Sequence, residues 1–491
     1  RKRSAHIYYA SAFSAGYRSR QLFEANRFMF LQFEIETVIG DRQVVITCAR
    51  VARKWLGWVL VCGGIACIMP HRGYAESDLL ADEVAGPDLL TVDSAVRVAL
   101  QDNPGLAQMQ ARYLALAQVP DQVGALPDPL VEFGALNFPT DTFDRTQESM
   151  TQLRLGVSQV LPFPGKRGLR RTVAILDLEA AGFSLNEARL QLVRSVTLQW
   201  WRLHYTEHAL QIIRQNELLL GQFIEIANTK YATGKGLQQD VLLAQLELSK
   251  LFDRKIQLNA DRQQQAIELN ILMNRPPDFP VSVKMQQKRE LPNLIAHSDL
   301  YQLSEGARPR MRQMHTQVVA ARTRLDLARK AYYPDFKVGL AYGQRGGRNA
   351  TPAADRRADF FSVSVGVEVP LWAGRKQTKA VSQRALEVQS NRYALNDERA
   401  LIRAEIASSV TAYQRARRQL SLFESGIVPQ AEQTVKSMLA GYQVSEVDFL
   451  NLIRSQMTLF EYQLRYWLAL SEAHQALADI QAAVGEGVIY E

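Results

Sequence analysis

Two hydrophobic rhythms divide this chain. In four short stretches apolar and polar residues alternate one by one, the period of a strand with one apolar face. Val131, Phe133 and Ala135 alternate with Glu132 and Gly134, and Leu153, Leu155 and Val157 with Arg154, Gly156 and Ser158. Phe336, Val338, Leu340 and Tyr342 alternate with Lys337, Gly339, Ala341 and Gly343. Phe361, Val363, Val365, Val367 and Val369 alternate with Ser362, Ser364, Gly366 and Glu368. Elsewhere the spacing is three and four. Leu176, Ala180 and Phe183 are one such run, in stretches rich in Ala, Leu, Gln, Glu and Arg that suit coiled-coil packing between neighbours.

The second strand runs into Pro162 and Pro164, which cannot continue a ladder, and Gly165; no proline follows until Pro276. The pattern predicts one helix over 166–233, about 100 Å long at 1.5 Å per residue. Globular helices average about a dozen residues, so this one does not belong to an ordinary compact domain. The run 232–236, Ala-Thr-Gly-Lys-Gly, breaks it, and a second helix returns to Asn274. The fourth strand ends the same way, at Pro370, Trp372, Ala373 and Gly374, before another long helical pattern. A helix is also predicted over 91–119, with Thr91 and Asp93 as capping residues and an interruption at Asn103-Pro104. The polar stretches 138–149 and 344–359 read as loops that join the strands into hairpins.

The unit occurs twice. Pro104, Met109, Pro129 and Gly134 correspond to Pro309, Met314, Pro334 and Gly339, each 205 residues on. Tyr231, Gln245 and Leu248 correspond to Tyr442, Gln456 and Leu459, each 211 on. Such a period is far too long for a solenoid, so the chain holds two copies of one strand–strand–long-helix unit. The first occupies 76–285, with its hairpin at 130–160 and long helices at 166–274. The second occupies 286–491, with its hairpin at 335–369 and long helices at 375–484.

Charge and cysteine narrow the class. The net charge is +8, but residues 1–75 carry eleven basic and four acidic residues. Removing them leaves 47 basic and 46 acidic residues, so no nucleic-acid partner is implied. Cys48, Cys62 and Cys67 all precede residue 76. Arg50, Arg53 and Lys54, followed by an apolar stretch over 55–69 and by Gly73-Tyr74-Ala75, predict a signal peptide at 50–75. Lipidation at Cys67 is the alternative. Residues 1–49 fit no targeting pattern.

Four strands from one chain cannot close a barrel. If their apolar face meets lipid, open edges are intolerable, so other copies of the chain must complete a barrel with a wet interior. Rings near the strand ends (Phe133, Phe138, Phe336, Tyr342, Phe360, Phe361 and Trp372) suit interfacial girdles. The bland alternative is a soluble β-layer on helices. Helical periodicity does not separate a hollow cylinder from a solid bundle. No catalytic constellation is visible, and no cofactor or metal site is expected. His204 and His208 have metal-capable spacing but no second cluster beside them, and read as surface residues.

LPFPGKR (161–167) with its echo VPLWAGRK (369–376), and YATGKGLQQDVLLAQ (231–245) with its echo YQVSEVDFLNLIRSQ (442–456), resemble the TolC-type outer-membrane efflux channels over about residues 90–485. The resemblance implies a mainly α protein with a transmembrane β part. It implies a homotrimer whose protomers each give four strands to one shared outer-membrane β-barrel, continued by a long periplasmic α-helical barrel. Such a channel is a passive exit duct and not an enzyme. It meets an inner-membrane pump of RND type through a periplasmic adaptor. LPFPGKR is similar to members that serve heavy-metal exporters. The resemblance maps the family's gate latch onto Asp240 and Tyr442; Asn451 and Arg454 stand at the two tunnel-mouth positions where the family carries cation-binding aspartates, with Asp448 nearby as a partial replacement, and Val447 stands where a partner arginine is expected. Gly234, Lys235, Gly236, Ser445 and Val447 lie at the helical tips that would meet adaptor and pump. Lys166, Arg167, Arg170, Arg171, Arg375, Lys376 and Lys379 stand where strands become helices, and are expected to contact anionic outer-membrane lipid at the periplasmic rim. The competing class is a periplasmic coiled-coil adaptor or scaffold without a pore.

Overall fold

A computed structural model describes residues 89–285, 291–349, 355–485 and 489–490. The expected signal peptide, the three cysteines and the extension before them lie outside the described residues.

The four alternating stretches become β1 (Leu130–Leu136), β2 (Gln152–Leu161), β3 (Asp335–Arg345) and β4 (Phe360–Glu368). They form one antiparallel sheet in the order β1-β2-β3-β4. The middle ladder joins the two halves, from Gln152 opposite Arg345 to Leu161 opposite Phe336. Because the side-chain period is two, this register gathers Phe133, Leu155, Val157, Leu340, Tyr342, Val363 and Val365 on one face. Glu132, Arg154, Ser158, Lys337, Ser362 and Ser364 take the other, with Gly156, Gly339, Ala341 and Gly343 between them. Phe360 departs from expectation. It pairs with Gly343, so it stands on the polar face, where the Arg345 guanidinium lies 3.9 Å over its ring. Among the described residues β1 and β4 each keep one edge unpaired.

The predicted helix over 91–119 is three helices, α1 (Val92–Asp102), α2 (Pro104–Ala117) and α3 (Val119–Gly124). Asn103 makes the first break. It ends α1 with its N–H on the Ala99 carbonyl, and its Oδ1 accepts the Leu106 N–H of α2, whose first residue is Pro104. The long helix α4 (Lys166–Ala232) runs unbroken for 67 residues, and α5 (Gln238–Leu272) returns beside it. The second half opens with α6 (His297–Ala307) and α7 (Pro309–Lys330). There α8 (Gln377–Leu422), a π turn (Phe423–Ile427) and α9 (Val428–Gln443) span the equivalent of α4, with 46, 5 and 16 residues. Pro429 explains the difference. Proline has no N–H and crowds the carbonyl four residues back, and the π turn widens the helix there, with the Val428 N–H bonded to the Phe423 carbonyl. Helix α10 (Phe449–Val484) closes the chain's helical part.

Duplication also shows in the packing. Leu90 bridges to Val283, and Leu294 to Tyr490. One ring of each half donates to the neighbouring carbonyl: Trp200 Nε1 to Leu90 O at 3.0 Å, and the Tyr413 hydroxyl to Pro292 O at 2.6 Å. His204 and His208 are buried, which corrects the surface expectation. They share the face of α4 that packs on α10. There His208 stacks on Trp467 at 3.4 Å, Trp201 on His474 at 3.9 Å and His204 on Trp200 at 5.1 Å. Burial, helped by the charges of His208 and His474, drives the His204 pKa down to about 3, and burial takes His208 to about 4. Among the described residues no group of three or more His, Cys, Asp or Glu could hold a metal ion, and no helix is long and apolar enough to cross a membrane.

Candidate functional site

The two helical hairpins end in tips of the same design. After α4, Gly234 takes a left-handed φ of 71°, its N–H returns to Tyr231 O at 3.0 Å, and the Lys235 N–H returns to Lys230 O at 2.8 Å. After α9, Ser445 takes φ 65°, its N–H returns to Tyr442 O at 3.1 Å, and the Glu446 N–H returns to Gly441 O at 2.9 Å. These are the bonds that satisfy the last carbonyls of a helix. A left-handed residue is required to make them, and serine accepts at 445 the strain that glycine avoids at 234.

The expected latch is not made within the chain. The Tyr442 ring is buried 5.1 Å from Phe449, and its hydroxyl has no hydrogen-bond partner. Burial raises the pKa of this hydroxyl, and the charge of Asp240 adds to the shift. Asp240, in the first turn of α5, is itself raised by burial and by Asp448, against the opposing effects of the Leu237 backbone and Lys230. Asp448 is the N-cap residue of α10 and is exposed, as are Asn451 and Arg454. Val447 is half-buried against Gly441, where a Cβ would meet its Cγ2 at 2.6 Å. Gly234, Lys235 and Ser445 are exposed, and Gly236 is half-buried.

Lys230 bridges the two tips. Its Nζ donates to the Tyr442 carbonyl and to Ser445 Oγ, the latter at 3.1 Å, and lies 4.3 Å over the Tyr442 ring. One signal was legible. Position 230 corresponds to 441, which is glycine, so the two tips differ at the point where one reaches the other.

The basic residues at the strand-to-helix corners divide. Lys166 is buried, contrary to its expected place on a lipid-facing rim. Its Nζ donates to Tyr333 O and to Asp335 Oδ1, both at 2.8 Å, and the same Asp335 oxygen accepts the Phe163 N–H at 2.7 Å. Asp335 thereby offsets the positive charge that Lys166 brings to the first turn of α4. Arg167 donates to the Gly124 carbonyl at 2.8 and 2.9 Å, and Arg171 pairs with Asp121 at 3.0 Å. Arg170, Arg375, Lys376 and Lys379 stay exposed; Arg170 and Lys376 line a cleft of about 540 Å³ beside Trp372.

The arrangement is a sheet with one apolar and one polar face, proline corners, and long paired helices ending in bonded tips. Known proteins with this build are channels. A family model described as outer membrane efflux protein matches residues 300–486. The cobalt-zinc-cadmium resistance protein CzcC of Cupriavidus metallidurans is 21% identical over 440 residues, covering 86% of this chain and 97% of CzcC. The outer membrane protein VceC of Vibrio cholerae has the same fold, with a TM-score of 0.66 at 18% identity over 81% of this chain and 96% of that one. So does the Neisseria gonorrhoeae MtrE outer membrane channel in its open state, with a TM-score of 0.64 at 16% identity over 80% of this chain and 88% of that one. Residues 300–486 thus match the outer membrane efflux protein family, the described chain has the fold of outer-membrane channels, and nothing in these likenesses supports a pore-less adaptor.

Proposed function

We propose that this outer-membrane efflux channel is the exit duct of a metal-ion exporter. It works as a homotrimer, fed by an inner-membrane pump of RND type through a periplasmic adaptor that docks at the tips around Gly234–Gly236 and Ser445–Val447. The observation that carries the channel is the sheet. Its apolar face suits lipid, its polar face suits a wet lumen, and its two open edges call for neighbouring copies. Metal cargo rests on the likeness to a cobalt-zinc-cadmium resistance protein along nearly its whole length, and on the LPFPGKR corner.

The exposed Arg170, Arg375, Lys376 and Lys379 carry the proposed rim contact with anionic lipid, each worth about 1 kcal/mol near such a surface. Lys166, Arg167 and Arg171 are engaged inside the chain and are left out of it.

The test is complementation. In a host deleted for its own metal-efflux channel but retaining pump and adaptor, this chain should restore growth on zinc, cobalt and cadmium. Restored drug tolerance without metal tolerance would refute the cargo. Absence of heat-sensitive trimers from the outer-membrane fraction would refute the assembly.

A further inference from the structure

The two tips carry the same turn but not the same side chains. In the first, Lys230 faces Gly236, where a Cβ would meet Lys230 Cβ at 2.9 Å and the Tyr231 nitrogen at 3.1 Å. In the second, the equivalents are reversed in bulk: Gly441 faces Val447, with the close approach to the valine methyl described above. Each turn therefore closes over one small residue and one larger one. Only in the first is the larger one a long cation. Turned away from its own turn, its stem carries the amine across to the second tip.

What the amine meets there is the end of α9. Tyr442 is in the last turn of that helix, where the dipole is negative; its carbonyl takes the Ser445 N–H on one lone pair and keeps the other for a second donor. An ammonium group is the fitting complement to that charge. Lys230 supplies it from α4, 212 residues away in sequence, and adds the Ser445 hydroxyl and the face of the Tyr442 ring. Burial and the nearby charge of Asp448 raise the Asp240 carboxyl, and the Lys230 charge opposes them. The Tyr442 hydroxyl, buried and without a partner, contributes no hydrogen bond to this junction.

We infer that Lys230 is the bolt of the periplasmic gate: it ties the α4–α5 tip to the α9–α10 tip, and the tunnel end dilates when this one amine lets go. The inference rests on the channel reading above and on the movement of one helix pair against the other. It assigns the hold to a cross-tip helix cap, and it assigns the Tyr442 hydroxyl no part.

Single-channel recording of purified trimers in planar bilayers tests it. Lys230→Met keeps the stem and removes the amine. Loss of a charge-assisted bond should shift the closed-to-open balance about tenfold per protomer, seen as higher conductance or more frequent opening. Lys230→Arg retains a cation able to reach both acceptors and should behave like the parent. Tyr442→Phe should also behave like the parent. Opening by Tyr442→Phe with Lys230→Met unchanged would return the hold to the hydroxyl and overturn the inference while leaving a tip gate in place. Equal opening by the Met and Arg variants would assign the effect to stem packing, and reduced conductance in Lys230→Met would assign the contact to the open arrangement; either overturns it. If intact trimers of every variant conduct like the parent, the tips are not the gate and that part of the reading falls too. If intact trimers do not conduct at all, the channel itself is refuted.

Discussion

An arginine at Val365 separates a lipid-facing sheet from a soluble one. Val365 pairs with Val338 on β3 and is 69% exposed in the single chain. It lies between two ring-bearing pairs of the same face, Phe361 with Tyr342 and Phe336 with Val367. Those pairs are six residues apart along β4, about 20 Å of strand and about 15 Å of depth at the usual barrel tilt. Val365 is therefore well inside the apolar band, where an arginine costs roughly 2–4 kcal/mol. A trimer repeats the penalty in each protomer, enough to remove most assembled channel. Its neighbour Ser364 points to the other face, opposite Gly339, and is exposed there. Ser364→Arg should assemble nearly as well as the parent, since its charge meets a wet lumen. The assay is the yield of heat-modifiable trimer in outer-membrane fractions, followed by urea unfolding from vesicles. Equal damage at 364 and 365 would refute the two-faced barrel.

Three further outcomes follow from the helical part. Arg308 is buried between Glu405, at 2.7 Å, and Glu187, at 3.4 Å, and also donates to Ala483 O. Arg308→Met strands those partners and should cost about 3 kcal/mol, read as a lower urea midpoint; an unchanged midpoint would deny the node a structural role. Gln456 Nε2 donates to Asn216 Oδ1 at 2.7 Å with both residues buried, so Asn216→Ala should cost about 1–3 kcal/mol and the double leucine variant much less. A double variant as damaging as the single one would show that packing dominates there. His204 and His208 are held neutral, with pKa values below those of the unfolded chain, which therefore takes up protons first as pH falls. Their stability is fully present above the ordinary histidine pKa of about 6.5 and is lost as pH falls toward the folded values of about 3 and 4. Heat dissociation of trimers should move to lower temperature between pH 6 and 4, and His204→Phe should flatten that slope.

The parts set by a repeating pattern were the parts the sequence disclosed. Alternation gave the strand faces, because a one-residue slip would turn every side chain over. Proline-free length gave α4, and the two tips were visible as glycine-rich or polar breaks. What stayed hidden depends on partners far away in the chain. Nothing near Lys166 announces Asp335, and nothing near His208 announces Trp467; each became buried only when α4 met β3 or α10. The tips show the same limit. Asp240 and Tyr442 were chosen because those residue types occupy family positions, but a latch also needs two atoms within bonding reach, and reach depends on side-chain length and tip geometry. A lysine with four methylenes crosses between the tips. The Tyr442 hydroxyl, pinned by a ring packed on Phe449, makes no hydrogen bond. The signal in the sequence lies in comparing its two halves. Lys230 opposite Gly441 and Gly236 opposite Val447 mark where two copies of one unit stopped being interchangeable, and there the first tip reaches the second.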